Sequence, residues 1–444
     1  MKKTQDFTEG IIWKQLLLFF FPILVGTFFQ QLYNTVDTII VGQSVGTNAL
    51  AAVGSTGNLT NLIINFFVGL SSGATVVIAQ YYGAHDHKRV SRAVHTSFAM
   101  SITCGIFMML FGLFFSYQCL EMIQVPSEII QDATLYMQLV FLSMIPGVVY
   151  NIGSGILRAV GDSKRPLYYL IICSIVNVVL DCLFVMVFHW GIAGAAIATV
   201  IAQVVCAILV TIQLMKSEDA YQLRLKDISF DFAILKRIIK IGLPAGIQST
   251  MYSISNIVLQ TNINAFGTQT IATWAVYVKI DAFFWMIMGA IGASITTFVG
   301  QNYGAKLYER IQKGMKTALA IAMLSAFIVS SLFYVFGGYV THLFSSDQNI
   351  VMQCQDIIRF LMPWYFTYCC VEIISGTMRG CGEALKPMLL VCFGVCVLRI
   401  VWVTFVSPLI GTFNGVIVSY PITWSVTSVL FLIYYYYFQR SHLR

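Results

Sequence analysis

Apolar residues in this chain come in long uninterrupted runs, each followed by a short polar interval. About 20 consecutive apolar residues are needed for a helix to cross a bilayer. Twelve stretches satisfy that length, at roughly 16–41, 50–80, 93–117, 129–157, 166–188 and 191–215 in the first half. The second half repeats the rhythm at roughly 238–264, 270–300, 315–340, 351–378, 387–407 and 412–438. The pattern predicts an all-α membrane protein with twelve transmembrane helices. Its domains are expected at 1–215, a six-helix lobe, at 216–237, a polar linker, and at 238–444, a second six-helix lobe. The linker mixes charges of both signs (Glu218, Asp219, Arg224, Lys226, Asp227, Asp231), which suggests a flexible or surface-lying connection.

Composition agrees with this reading. Of the 444 residues, 58% are hydrophobic and only 10% charged, where a soluble domain carries about 25% charged residues. So few charges cannot cover a water-facing surface, which excludes a soluble protein, a nucleic-acid binder and a disordered chain. The net charge of +7 is informative by location. Of the 26 Lys and Arg, only Lys279, Arg359 and Arg399 fall elsewhere than on one side of the membrane. The rest cluster in the N-terminal tail (Lys2, Lys3, Lys14), in every second loop, and at the end (Arg440, Arg444). The positive-inside rule makes that side cytoplasmic and places both termini there. A multi-pass protein of the cell membrane is expected. The 11 cysteines lie mostly inside apolar runs and suggest buried free thiols rather than a disulfide frame.

The chain also matches itself at an offset of 221. Gln80, Tyr82, Gly83 and Ala84 return as Gln301, Tyr303, Gly304 and Ala305. Gly155, Arg158, Gly161 and Pro166 return as Gly376, Arg379, Gly382 and Pro387. Two halves of six helices each share one orientation, so their pseudo-twofold axis runs along the membrane normal, as in parallel-repeat transporters.

Ionisable residues near a bilayer centre cost about 2.5–3.5 kcal/mol on insertion scales and point to function. Six qualify: Asp37, Asp181, Lys279, Asp281, Glu372 and Arg399. Asp37 ends a polar ridge formed by Gln30, Tyr33 and Asn34, whose spacings of three and four keep them on one helix face. Asn177 and Asp181 share a face of the fifth helix, Thr199 interrupts an Ala/Val/Ile run in the sixth, and Asn151 lies in the fourth near Gly153 and Gly155. Converging, these faces would form a pocket with two carboxylates. Such a pocket can hold a proton, or its oxygens can chelate a hard monovalent cation such as Na+. The bland alternative is interhelical hydrogen bonding. In the second half, Asp281, Glu372 and Lys279 could form a further site, or be tied up in cross-helix pairs such as Glu372 with Arg399 or Lys279 with Asp281. No phosphate-cradling GxxxxGK[ST] motif is present, so ATP is not expected to drive the protein and no cofactor is expected. The Gly69-Leu70-Ser71-Ser72-Gly73 run fits a nucleophile-elbow pattern but lies inside an apolar helix, where it predicts close helix packing instead.

These residues resemble the multidrug and toxic compound extrusion (MATE) family over nearly the whole chain. The marks are Tyr33-Asn34-Thr35-Val36-Asp37 with Gly42, and Gln80-Tyr81-Tyr82-Gly83-Ala84 with its counterpart Gln301-Asn302-Tyr303-Gly304-Ala305. Two loop signatures join them, Leu157 through Asp162 and Met378 through Glu383. The resemblance implies a V-shaped twelve-helix antiporter, not an enzyme, that exports organic cations in exchange for protons or sodium ions. It is to the DinF-like branch. There the coupling site maps onto Asp37, Asn177, Asp181 and Thr199, a neighbouring hydrogen-bonding position onto Asn151, and the proline at a bend of the first helix onto Pro22. Gln30, Tyr33, Asn34 and Asn151 are the expected substrate contacts. The implied partners are membrane lipids and a small drug-like or cationic substrate, with no nucleic acid, and the protein is expected to be a monomer. Other readings are a lipid-linked saccharide flippase, which would line its cleft with several cations, and a membrane-embedded enzyme or receptor.

Overall fold

The computed structural model describes residues 5–345 and 347–442. Lys2, Lys3 and Arg444, used above to orient the chain, lie outside the described residues. Within them the fold is helical throughout. The first lobe runs through α1 (Ile12–Ser44), α2 (Thr47–Gly83), α3 (His87–Met122), α4 (Ile130–Leu142 joined to Met144–Ala159), α5 (Lys164–Val187) and α6 (Gly191–Met215). The second runs through α7 (Phe232–Asn264), α8 (Thr268–Gly304), α9 (Tyr308–His342), α10 (Gln348–Gly380), α11 (Leu385–Ile410) and α12 (Phe413–His442). Ten of these are long and apolar enough to cross a bilayer by themselves, and α4, bent by 42° at Ser143, makes eleven. The remaining one, α7, is long enough at 33 residues but less apolar than the run at 238–264 suggested. Lys236, Arg237 and Lys240 occupy its start, and Gln248, Ser249, Thr250, Ser253, Ser255 and Asn256 fill its middle.

The repeat is written into the backbone. Left-handed conformations fall at corresponding positions: Gly46 (φ 115°) and Gly267 (φ 90°), His85 (φ 53°) and Lys306 (φ 60°), Gly161 (φ 88°) and Gly382 (φ 93°). At the first pair a sharp reversal joins two long helices, and glycine adopts it without a Cβ clash. Irregular turns repeat too. A π-helical stretch, Cys182–Val187, follows Asp181 in α5, and another, Trp402–Val406, occupies the matching part of α11. Such π turns are rare and often sit at functional sites.

Contacts divide the chain into two compact units whose limits differ from those expected at 215 and 238. The first holds Gln5, Asp6 and Phe21–Gly246, and the second holds Phe7–Phe20 and the residues from Ile247 on. In the first unit the linker is held down rather than free. Arg224 N–H donates to His95 Nε2 (3.0 Å), Thr96 Oγ1 donates to the Ser229 carbonyl (3.4 Å), and Arg92 pairs with Asp231 (3.6 Å). The start of α7 stays with this unit because glycine lets backbones touch. A Cβ on Gly69 would lie 2.6 Å from Gly246 Cα, and one on Gly73 would lie 2.4 Å from the Ile238 carbonyl oxygen. Small residues spaced by four are the usual means of such close crossing in membranes. In the second unit Phe7 is fully buried, edge-on to Phe19 and Phe298, and Arg310 Nε donates to its carbonyl (2.9 Å).

This crossing gives a direct test. Gly73→Val forces two backbones apart, and overpacking of this kind costs about 1–3 kcal/mol. The thermal midpoint of the purified protein in detergent should fall by several degrees. Gly54→Ala, whose Cβ would meet nothing within 4 Å, should leave it unchanged. Equal midpoints for the two variants would show that the α2–α7 contact contributes nothing.

Candidate functional site

The apolar surfaces of α1, α2, α4, α5 and α6 do not close on one another completely. They enclose a cavity of about 700 Å³ that lies wholly within the first unit. Along α1 its wall includes Pro22, Gln30, Tyr33, Asn34 and Asp37. The ridge read from spacing therefore does share one face, and that face lines a cavity. α1 continues as helix through Pro22. Asn151 and Thr199 also line the cavity, from α4 and α6. Asn151 Nδ2 is occupied on its own helix, donating to the Gly147 carbonyl (2.9 Å).

Asn177 and Asp181 take a different place. They are 1% and 0% exposed and stand behind the wall rather than in it. Asn177 Nδ2 reaches Thr199 Oγ1 at 3.4 Å, a long bond linking α5 to α6. Asp37 and Asp181 are near enough for their charges to interact, and Tyr136, a wall residue from α4, lies in the field of both. The four predicted residues are thus brought into one neighbourhood, Asp37 and Thr199 facing the cavity and the other two beneath it.

Hydrogen bonding sets this group apart. Asp37 Oδ1, Asn177 Oδ1 and both carboxylate oxygens of Asp181 are buried with no hydrogen-bond partner. A buried acceptor left unsatisfied costs about 1–3 kcal/mol, and more when charged. Native folds seldom tolerate several such atoms together. Every orphaned atom here is an acceptor, so the cluster is set up to receive a hydrogen-bond donor or a cation: a water, a proton or a monovalent ion. Mixed carboxylate, amide and hydroxyl oxygens are the donor set that hard cations take.

The second-lobe acids behave otherwise. Asp281 accepts from the Tyr365 hydroxyl and from Trp285 Nε1 (2.7 Å), and Tyr365 is bonded in turn to Tyr277 (2.9 Å). Glu372 accepts from Tyr368 (3.3 Å) and lies 3.8 Å from Arg379. Lys279 sits over the Phe344 ring at 5.7 Å, and Arg399, 3% exposed, over the Tyr420 ring at 4.0 Å. The expected pairs of Glu372 with Arg399 and Lys279 with Asp281 do not form. Two residues apart, Lys279 and Asp281 leave opposite sides of α8, while Arg379 lies seven residues beyond Glu372, two turns along the same helix. Asp281 and Glu372 each accept from an aromatic donor, Trp285 and Tyr368, whose rings lie 4.6 Å apart, while Lys279 is held over Phe344.

Several wall residues escaped the sequence reading. Asn61 and Asn65, spaced by four within an apolar run of α2, carried a usable signal. Gln203 lies four residues after Thr199, and Ser154 and Arg158 follow Asn151 by three and seven, so the same face spacing could have found them; Tyr136 stood in no such pattern with the predicted residues.

Comparison with known proteins agrees with this architecture. The MatE family model matches residues 22–183 and 244–405, two blocks displaced by the repeat. The chain is 27% identical over 443 residues to the probable multidrug resistance protein YoeA of Bacillus subtilis, covering 98% of this chain and 95% of that one. It is 21% identical to the multidrug export protein MepA of Staphylococcus aureus, covering 95% and 91%. Among solved structures, one of a multidrug resistance MATE family transporter of the MOP superfamily in an outward-facing conformation superposes with a TM-score of 0.92. Its identity is 25%, with both chains covered completely. A two-part match over both halves, full-length relatives and a shared twelve-helix fold place this chain in the MatE family of multidrug efflux transporters.

Proposed function

We propose that this protein is a secondary antiporter that exports small amphipathic, mostly cationic organic compounds. Export is driven by the inward passage of a monovalent cation, H+ or Na+, at the Asp37–Asn177–Asp181–Thr199 cluster. The observation that carries this reading is the set of orphaned acceptors beside the cavity. They leave the cluster set up to receive a donor or a cation. A site of this kind can favour one conformation when loaded and another when empty, which is what coupling requires.

The energetics are sufficient. Each positive charge moving inward down the membrane potential releases about 2.3 kcal/mol per roughly 100 mV. No ATP-binding element is needed for that, and none is proposed. Pro22 gives α1 a weak point, since proline removes one backbone hydrogen bond from a helix. Satisfying Asp37 further along the same helix can change how α1 packs on its neighbours, and so the volume of the cavity. The basic loops, with both termini, are placed on the cytoplasmic side, so that compounds enter from there.

The test is dye efflux from proteoliposomes with proton and sodium gradients imposed separately. Export that follows the pH gradient alone makes the cluster a proton site, and export that follows sodium at constant pH makes it a sodium site. Export indifferent to both gradients would overturn the antiport reading.

A further inference from the structure

Among the described residues, the cavity wall contains two charged side chains, Asp37 and Arg158. They stand at opposite ends. α1 and the second segment of α4 belong to odd and even spans and run antiparallel. Asp37 is near the C-terminal end of the wall on α1, and Arg158 is in the last turn of α4. Along α1 the wall extends from Pro22 to Thr38, about 24 Å at 1.5 Å per residue.

Arg158 has no protein partner for its charge. Among the described residues its half-buried guanidinium makes no hydrogen bond and no ion pair. The acid nearest in sequence, Asp162, is taken up elsewhere. It pairs with Arg165 (3.3 Å) and accepts from the backbone N–H groups of Lys164 and Arg165 (both 3.1 Å). One helical turn before Arg158, Ser154 also lines the cavity. Its hydroxyl is buried beside that of Tyr150, and the residue is 2% exposed.

The repeat shows how the second lobe balances the charge of the corresponding arginine. Arg158 corresponds to Arg379, and Asn151 corresponds to Glu372. In the second lobe Glu372 lies 3.8 Å from Arg379 and neutralises it. In the first lobe the same position holds a neutral amide, turned back to the Gly147 carbonyl. The ion pair of the second lobe has no counterpart here, where an arginine without its acid faces a cavity of ligand size.

We propose that Arg158, with Ser154, receives a carboxylate where the exported amphipathic cation carries one, and that the first-lobe cavity therefore prefers such compounds to their esters. The carboxylate takes the position that Glu372 occupies in the other lobe, and the aromatic or cationic body extends towards Asp37. Guanidinium and carboxylate match as two parallel N–H···O bonds, which adds selectivity to charge. This inference rests on the efflux reading above and names the substrate class of the same cavity.

A matched probe pair tests it: a rhodamine dye bearing a free carboxylate, and its methyl ester, which is a simple cation of nearly the same shape. Both are measured for binding to the full chain in detergent and for export from proteoliposomes. The wild type should bind the acid at least roughly tenfold more tightly than the ester, about 1.4 kcal/mol. Arg158→Gln should bring that ratio close to one, Arg158→Lys should restore part of it, and Ser154→Ala should reduce it several-fold. Where Arg158→Gln does not yield monodisperse protein, the lysine and Ser154 variants read the same ratio. A wild type that exports the ester but shows no preference for the acid overturns this inference and leaves the efflux reading standing. So does an Arg158→Gln that weakens both dyes equally. A wild type that exports neither dye overturns both.

Discussion

Asp37→Asn is expected to reduce coupled export to the level of empty liposomes while leaving a folded, monodisperse protein. The substitution keeps size and shape and alters one property, since an amide can neither take up and release a proton nor balance a cation. In this structure Asp37 Oδ1 has no protein donor to hold it, so no native hydrogen bond is lost at that atom. Removing an uncompensated buried charge tends to stabilise rather than unfold, and the thermal midpoint should hold or rise. Thr35→Ala, on the same helix but off the cavity wall, is the control: its hydroxyl is spent on the Gln31 carbonyl (2.9 Å), and export should persist. The measurement is dye efflux under an imposed gradient, alongside size-exclusion profiles of both proteins. Wild-type efflux by Asp37→Asn would remove the residue from the coupling machinery.

The second large effect concerns α5 and α6. Asn177→Ala and Asp181→Asn should each weaken ion binding, and together by less than the sum of the two. Both side chains are buried on one face of α5 behind the cavity wall, and three of their oxygens lack partners. If one bound ion supplies what all three need, the first substitution already forfeits most of what the second would. Residues sharing a partner typically show coupling energies of about 0.5–3 kcal/mol. The experiment is a double-mutant cycle on ion affinity, read by calorimetry or by ion-dependent tryptophan fluorescence. Strict additivity would place the two residues in separate sites.

Much of the cluster was legible before any coordinates. Asp37 and its ridge follow from spacing in one helix, and Asn177 with Asp181 from spacing in another. An acid inside an apolar run has few reasons to be there. Spacing assigns a residue to a helix face, but it does not say what that face meets. It could not show that Asn177 and Asp181 lie beneath the wall while Thr199 is in it. In the second lobe it suggested a site where the fold has matched Asp281 with Tyr365 and Trp285, and Glu372 with Tyr368 and Arg379. Only Tyr365 comes from another helix; Trp285, Tyr368 and Arg379 lie four, four and seven residues from their acids on the same helix, and spacing does not say that side chains so placed turn towards each other.

By itself, the amino-acid sequence determined the membrane class, the twelve-helix count, the duplication and the family. These depend on run length, charge placement and self-similarity, which are local or additive along the chain. The tertiary structure alone decided which polar groups remain unsatisfied. Whether a hydrogen bond forms depends on side-chain direction and on what neighbouring helices present, so similar residue types are left unsatisfied in one lobe and paired in the other. Arg158 is the sharpest case. In sequence it is one more basic residue at a helix end, and its repeat partner Arg379 looks identical. Only packing shows that one has an acid beside it and that the other faces an open cavity with its charge unmet.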